Sequence, residues 1–257
     1  MALIKRRGGK LSFYSAHTGS VSCSPEYDVH FGVNSIGLIN VYAKDVALLP
    51  WWQQKIWAGY NISPDGGVSE ELLASQVKAR PANTLAPEEF LFEGIKLINQ
   101  HSQENLGGKL FRDHETIPNL IVKAHRFRSI DKDSFHELAK DLTRLIIENL
   151  DVKFMKTIVS PPNNANWGSL QYLENLLSQQ YKRENVRKIT APLAGIYNLR
   201  LGDAHLPSRD KSAEGIKLIG IDIDSPFVYQ GFQMLEQVVN SLYWIADLLG
   251  KWENDTN

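Results

Sequence analysis

Ser134-Phe-His-Glu-Leu-Ala-Lys-Asp-Leu-Thr-Arg-Leu-Ile146 decides the fold class. Phe135, Leu138, Leu142, Leu145 and Ile146 recur at three- and four-residue spacing, which places them on one face of a helix. Ser134 and Glu137 have the spacing of a capping box, so the sequence predicts the helix start there. Three more helices follow. Trp167 to Tyr181 carries Leu170, Leu173, Leu177 and Tyr181 on its stripe. Arg183 to Arg200 turns Val186, Ile189, Leu193, Ile196 and Tyr197 inward, with Pro192 as a potential kink. Ser225-Pro226 opens the longest, with Phe232, Leu235, Val238, Val239, Leu242, Ile245, Ala246 and Leu249 in register and Gly250 as its stop. Four amphipathic helices with apolar faces predict a bundle over 131–257.

Upstream of about residue 130 the pattern differs. Leu11-Ser-Phe-Tyr reads as a short strand, and His30 to Tyr42 as a hairpin around Asn34-Ser-Ile-Gly. Val46 to Tyr60 reads as a helix with Pro50 in its first turn. Asn61-Ile-Ser-Pro-Asp-Gly-Gly is a loop. Ser69 caps a short helix, and Pro87 opens another that runs to His101. Leu106 to Ile130 has no dominant period, and Asn119 to Ala124 is compatible with a strand. The expected architecture is therefore an α+β region over 1–130 joined to a mainly α-helical bundle, mostly α overall. No Gly/Ser/Pro-rich linker separates the two, and no internal repeat is visible.

The 257 residues are 43% hydrophobic and 22% charged, an ordinary globular composition that excludes a mainly disordered or fibrous chain. The single cysteine, Cys23, excludes an internal disulfide framework. The 28 Lys+Arg against 29 Asp+Glu argue against a uniformly basic nucleic-acid surface, and leave room for a local basic patch. No apolar run reads as a secretory signal or membrane span, because polar residues interrupt even Pro226 to Leu249. The sequence reads as cytoplasmic.

The third helix of the bundle ends Ile196-Tyr-Asn-Leu-Arg-Leu-Gly-Asp-Ala-His-Leu-Pro207. Arg200 lies four residues beyond Ile196 and continues the apolar stripe, where a charge needs a partner or a task. His205 lies about 140° further around an unbroken helix. Gly202 and Pro207 are placed to loosen the helix and bring the histidine back. In the alternative reading Arg200 pairs with Asp203 and His205 caps carbonyls at the helix end.

An arginine, four residues and a histidine near a helix end, led in by Tyr197-Asn-Leu, resembles the signature of the HEPN family of helical bundles. The resemblance covers roughly 131–250. It implies a metal-independent ribonuclease of a prokaryotic toxin or antiviral defence system, with no cofactor and RNA as substrate. Members pair as homodimers with their motifs facing, and toxins of the family partner antitoxin proteins of nucleotidyltransferase type. Arg200 would hold the scissile phosphate, and His205 would exchange protons with the ribose 2′-hydroxyl or the leaving oxygen. Asp203, between them, completes the candidate catalytic set. Leu201 stands where catalytic members carry a polar residue. A second reading accordingly makes the chain a non-catalytic protein- or RNA-interaction module.

Five other groups stand out in the sequence. Lys182, Arg183, Arg187 and Lys188 form a basic cluster suited to an RNA backbone or to a solvated face. Trp51, Trp52, Trp57 and Tyr60 suit base stacking, although burial in a core is the commoner use of tryptophan. Lys217 to Asp222 is compatible with a short strand; Asp222 and Asp224, in Ile221-Asp-Ile-Asp, would point to one side of a strand and with His114 and Glu115 contain the donors of a nuclease-type metal site. The simpler reading gives Asp224 to the cap of the final helix. His125, Arg126 and Arg128 are a further basic group. Phe227, Tyr229, Tyr243 and Trp244 lie off the main stripe of the last helix, which predicts that it is covered on more than one side, by a second copy in a homodimer.

Overall fold

The computed structural model describes residues 8–162, 165–204 and 209–253, with the side chains of 202–204 and 209–210 outside the description. The chain is mostly α-helical, with one small antiparallel sheet near its start. It forms two compact units that meet in sequence between Ala86 and Pro87, upstream of the change in patterning near residue 130.

The first unit holds four strands in sequential order: β1 (Leu11–Phe13), β2 (Thr18–Ser24), β3 (Tyr27–Val33) and β4 (Ile39–Val41). Thr18 pairs with Gly32 and Phe31 with Val41. The expected hairpin forms around Asn34–Gly37, where Gly37 adopts a φ of 82°. Asn34 anchors that turn. Its Oδ1 accepts from Leu38 N at 2.9 Å, and its Nδ2 donates to the Asp65 and Gly67 carbonyls at 2.8 and 3.0 Å. The inward face of the sheet carries Phe13, Val29, Phe31 and Val33, all buried. Helices α1 (Ala43–Ala47), α2 (Trp51–Gly59) and α3 (Glu70–Val77) follow, and Ser69 caps α3 through Leu72 N as its sequence predicts. The tryptophans of α2 do not form a core. Its one buried residue is Gln53, while Trp51 and Tyr60 are 70% and 83% exposed.

Among the described residues the second unit is mainly helical: α4 (Pro87–Leu106), α5 (Ile117–Lys123), a 3₁₀ turn (Arg126–Arg128), α6 (Lys132–Ile146), α7 (Val152–Ile158), α8 (Ser169–Leu177), α9 (Arg183–Ala204), α10 (Arg209–Ile219) and α11 (Phe227–Gly250). All five residues of the α6 stripe are buried, and they share one core with Leu193, Ile196 and Leu199 of α9 and Leu235, Val238, Leu242 and Leu249 of α11. Two polar side chains of α6 tie it to α9. His136 Nδ1 donates to the Leu199 carbonyl at 3.1 Å, and Thr143 Oγ1 lies 3.2 Å from the Ile196 carbonyl.

The cap of α6 is one turn earlier than expected. Asp131 is the N-cap, accepting from Ser134 N at 2.8 Å, and Ser134 is the N3 partner that reaches back. At the far end of α11, three carbonyls of the last two turns take side-chain partners from elsewhere in the unit: His101 Nδ1 lies 2.7 Å from Ala246 O, Tyr181 Oη donates to Leu248 O at 2.7 Å and Asn105 Nδ2 donates to Leu249 O at 2.8 Å. Gly250 is the last helical residue, and its lack of a side chain matters for space. A Cβ there would sit 2.9 Å from His101 Nδ1.

Neither stretch read as a possible strand is one: Asn119–Ala124 is helical through Lys123 in α5, and Lys217–Asp222 runs from the end of α10 at Ile219 through a turn at Gly220. Pro118 occupies the first turn of α5, where its missing N–H costs nothing. Tyr197 is exposed, and Leu199 takes the inward place. Of the aromatics off the main face of α11, Phe227 packs on Phe135 and Tyr243 on Phe90, so the unit itself covers them. Trp244 remains 59% exposed. Among the described residues, no helix is long and apolar enough to cross a membrane.

Candidate functional site

The 22-residue α9 continues through Pro192 and carries Arg200 near its C-terminal end. Leu199 faces the core, so Arg200, one residue on, falls at the rim of the apolar stripe and is 33% exposed. Its Nη1 pairs with the carboxylate of Glu148, which follows α6 and is 40% exposed. The expected burial of Arg200 on the inward face is therefore only partial, and its described partner is Glu148. The Asp203 side chain and all of His205 lie outside the described residues.

Glu148 opens onto a cleft of about 580 Å³. One wall is the segment 110–112, which runs antiparallel to 149–151. Phe111 bridges Leu150, Arg112 N donates to Asn149 O at 3.0 Å and Asp151 N donates to Leu110 O at 2.7 Å. Arg112 also donates from Nη2 to the Glu148 carbonyl. The other walls are α5 and α6, which contribute Ile117, Leu120, Lys123, Asp141 and Arg144. Asp141 is held between two arginines, with Arg128 and Arg144 each 3.6 Å away. His114 Nδ1 lies 3.2 Å from Thr116 N and 2.9 Å from Thr116 Oγ1, which anchors the ring at the start of α5. Five cationic side chains, at 112, 123, 128, 144 and 200, thus surround the two carboxylates of Asp141 and Glu148.

The other candidate groups lie apart from this cleft. Lys182, Arg183, Arg187 and Lys188 are all exposed at the start of α9, and Lys188 pairs with Glu184 at 2.8 Å. At 1.5 Å per residue, Arg183 is about 25 Å along the helix from Arg200. Asp222 and Asp224 lie in a turn, where Asp224 N donates to Asp222 Oδ1 at 3.1 Å. They are not on a strand, and Asp224 does not cap α11, whose N-cap is Pro226 without a side-chain bond. Among the described residues, no group of three or more His, Cys, Asp or Glu is placed to hold a metal ion.

Arg128 belongs to the cleft through Asp141, whereas His125 and Arg126 are structural. Arg126 is 1% exposed and makes a two-pronged pair with Glu88, Nε to Oε1 and Nη2 to Oε2, both at 2.7 Å. Its guanidinium stacks 4.4 Å from the Phe232 ring centroid. Burial pushes the His125 imidazole down to about 4; Glu88 opposes that shift, and Arg128 and Arg126 add to it.

The sequence did not single out Arg112, Arg144, Glu148 or Asn149. Asp141, Arg144 and Glu148 are spaced three and four apart beside the apolar stripe of α6, and that charged stripe was the available signal. No family model matches the chain, and neither does any curated protein or solved structure.

Proposed function

We propose that the helical unit is an HEPN-like, metal-independent ribonuclease of a prokaryotic toxin or defence system, acting in the cytoplasm. The observation that carries the reading is the placement of Arg200. It stands half-exposed near the end of α9, in the four-residue spacing to His205, at the edge of a cleft with surplus positive charge. A guanidinium there is suited to hold a phosphodiester and to stabilise charge developing on its oxygens. In the proposed reaction the ribose 2′-oxygen attacks phosphorus and the bond to the 5′-oxygen breaks. His205 moves the proton from the nucleophile or to the leaving oxygen, an assignment suited to an imidazole titrating near neutrality. The products are a 2′,3′-cyclic phosphate and a 5′-hydroxyl. Glu148 holds the Arg200 side chain in place until a phosphate displaces it.

Homodimerisation through α11 belongs to this reading. Trp244 supports it, because it stays exposed beside Ile189 and Leu248. The experiment is incubation of the purified chain with RNA in EDTA, followed by analysis of the product ends.

A second reading is favoured by a different observation. Trp51 and Tyr60 are exposed, and Trp51, Trp57 and Val46 line an open groove of about 450 Å³. A non-catalytic interaction module would use that groove to dock a partner protein. Tight partner binding by a chain that leaves RNA intact would favour this second reading.

A further inference from the structure

The cleft between α5, α6 and the segment 110–112 has the chemistry of a ligand site in its own right. We propose that it binds a phosphorylated nucleotide, with the phosphate held by Arg112, Lys123 and Arg144. The proposal does not depend on the roles of Arg200 and His205.

Four observations carry it. The first is charge. Asp141 already has Arg128 and Arg144 within 3.6 Å, and Glu148 already has Arg200. Lys123, on the rim, makes no ion pair among the described residues. An anion entering the cleft therefore meets more positive charge than its two carboxylates offset, and arginine forks suit phosphate oxygens.

The second is an orphaned donor. Asn149 lines the cleft and is 6% exposed, yet its Nδ2 has no hydrogen-bond partner. Buried polar groups are nearly always paired, and an anion bound against this wall would supply the acceptor that the buried donor lacks once the Asn149 side chain turns toward it. The third is His114, a further polar ring on the cleft wall, held in place through Nδ1 by Thr116. The fourth is size and polarity. About 580 Å³ lies within the range of roughly 300–1,000 Å³ typical of small-ligand sites. A bare phosphate would leave most of that space unfilled. Ile117 and Leu120 supply an apolar wall against which a base can lie.

Two sources share this chemistry, a free mononucleotide and the phosphorylated end of an RNA strand. The test is calorimetric titration of the full chain with adenosine monophosphate, adenosine and a tetraribonucleotide with or without a 5′-phosphate. Saturable binding of the monophosphate but not of adenosine is expected. Tighter binding of the phosphorylated tetranucleotide than of the monophosphate assigns the site to an RNA end, and the reverse order to a free nucleotide. Lys123→Gln changes an exposed side chain and leaves the fold intact. It is expected to weaken binding about tenfold, the loss expected for one hydrogen bond to a charged group. Arg144→Gln should act similarly, while Lys251→Gln, an exposed residue that does not line the cleft, should not. Absence of monophosphate binding at millimolar concentration overturns the proposal, as does wild-type affinity in both Lys123→Gln and Arg144→Gln. A wild-type chain that binds the monophosphate but leaves RNA intact would count against the ribonuclease reading alone.

Discussion

Arg200 reaches across from the end of α9 to the carboxylate of Glu148, joining the motif helix to the turn that follows α6. Both side chains are more than a third solvent-exposed or close to it, so the pair adds little to stability, about 1 kcal/mol at most. Its consequence is orientation. Glu148→Gln should leave the melting temperature almost unchanged while lowering ribonuclease turnover, because Arg200 loses the contact that fixes its position. Differential scanning fluorimetry alongside an RNA cleavage assay checks both halves. A large loss of stability would make the pair a structural tie instead.

The Glu88–Arg126 pair should behave in the opposite way. It is 5% and 1% exposed, two-pronged, and covered by Phe232. Glu88→Ala leaves a buried guanidinium without its counter-charge, which typically costs roughly 3–5 kcal/mol. Urea denaturation should show that loss, and a change below 1 kcal/mol would mean that water reaches Arg126.

Close approach of α9 and α10 sets a sign that helix propensity alone gets wrong. Alanine is favoured over glycine in a helix by about 1 kcal/mol. A Cβ on Gly215, however, would lie 2.8 Å from the Gly195 carbonyl and 3.0 Å from Leu199 Cγ. Gly215→Ala should therefore lower the melting temperature. A rise would show that the two helices separate easily.

Acidification should weaken the fold through His125. Its folded pKa is about 4 against 6.5, chiefly because burial disfavours the charged ring. The unfolded chain therefore takes up a proton that the folded chain refuses. The stability contributed by the neutral ring is full above pH 6.5 and is lost as pH falls toward 4, roughly 3 kcal/mol across that window. Thermal melts from pH 7 to 4 should show the decline, and His125→Gln should flatten it. An equally steep decline in the variant would assign the effect to other groups.

The helical half was readable where one physical period dominated. The stripe of α6 and the long apolar run of α11 buried the residues their spacing marked, apart from the half-buried Phe232, because one face of each meets the core. The short segments misled. Asn119–Ala124 and Lys217–Asp222 are rich in branched residues, but they gain helical structure from Pro118 at one start and from packing on α9 at the other. Asp131, rather than Ser134, caps α6 because either residue can accept from a backbone N–H three positions on. The cleft was largely invisible for another reason. Its residues come from α5, α6 and the 110–112 segment, and no local period links them.

The most direct measurement is RNA cleavage by the full chain in EDTA, compared with Arg200→Ala and His205→Ala, with circular dichroism confirming that both variants fold. The ribonuclease account predicts that the wild-type chain yields 2′,3′-cyclic phosphate ends and that each variant loses roughly 10²–10⁴-fold in rate. Cleavage that survives both substitutions, or a wild-type chain that leaves RNA intact in every condition where it is folded, would contradict it.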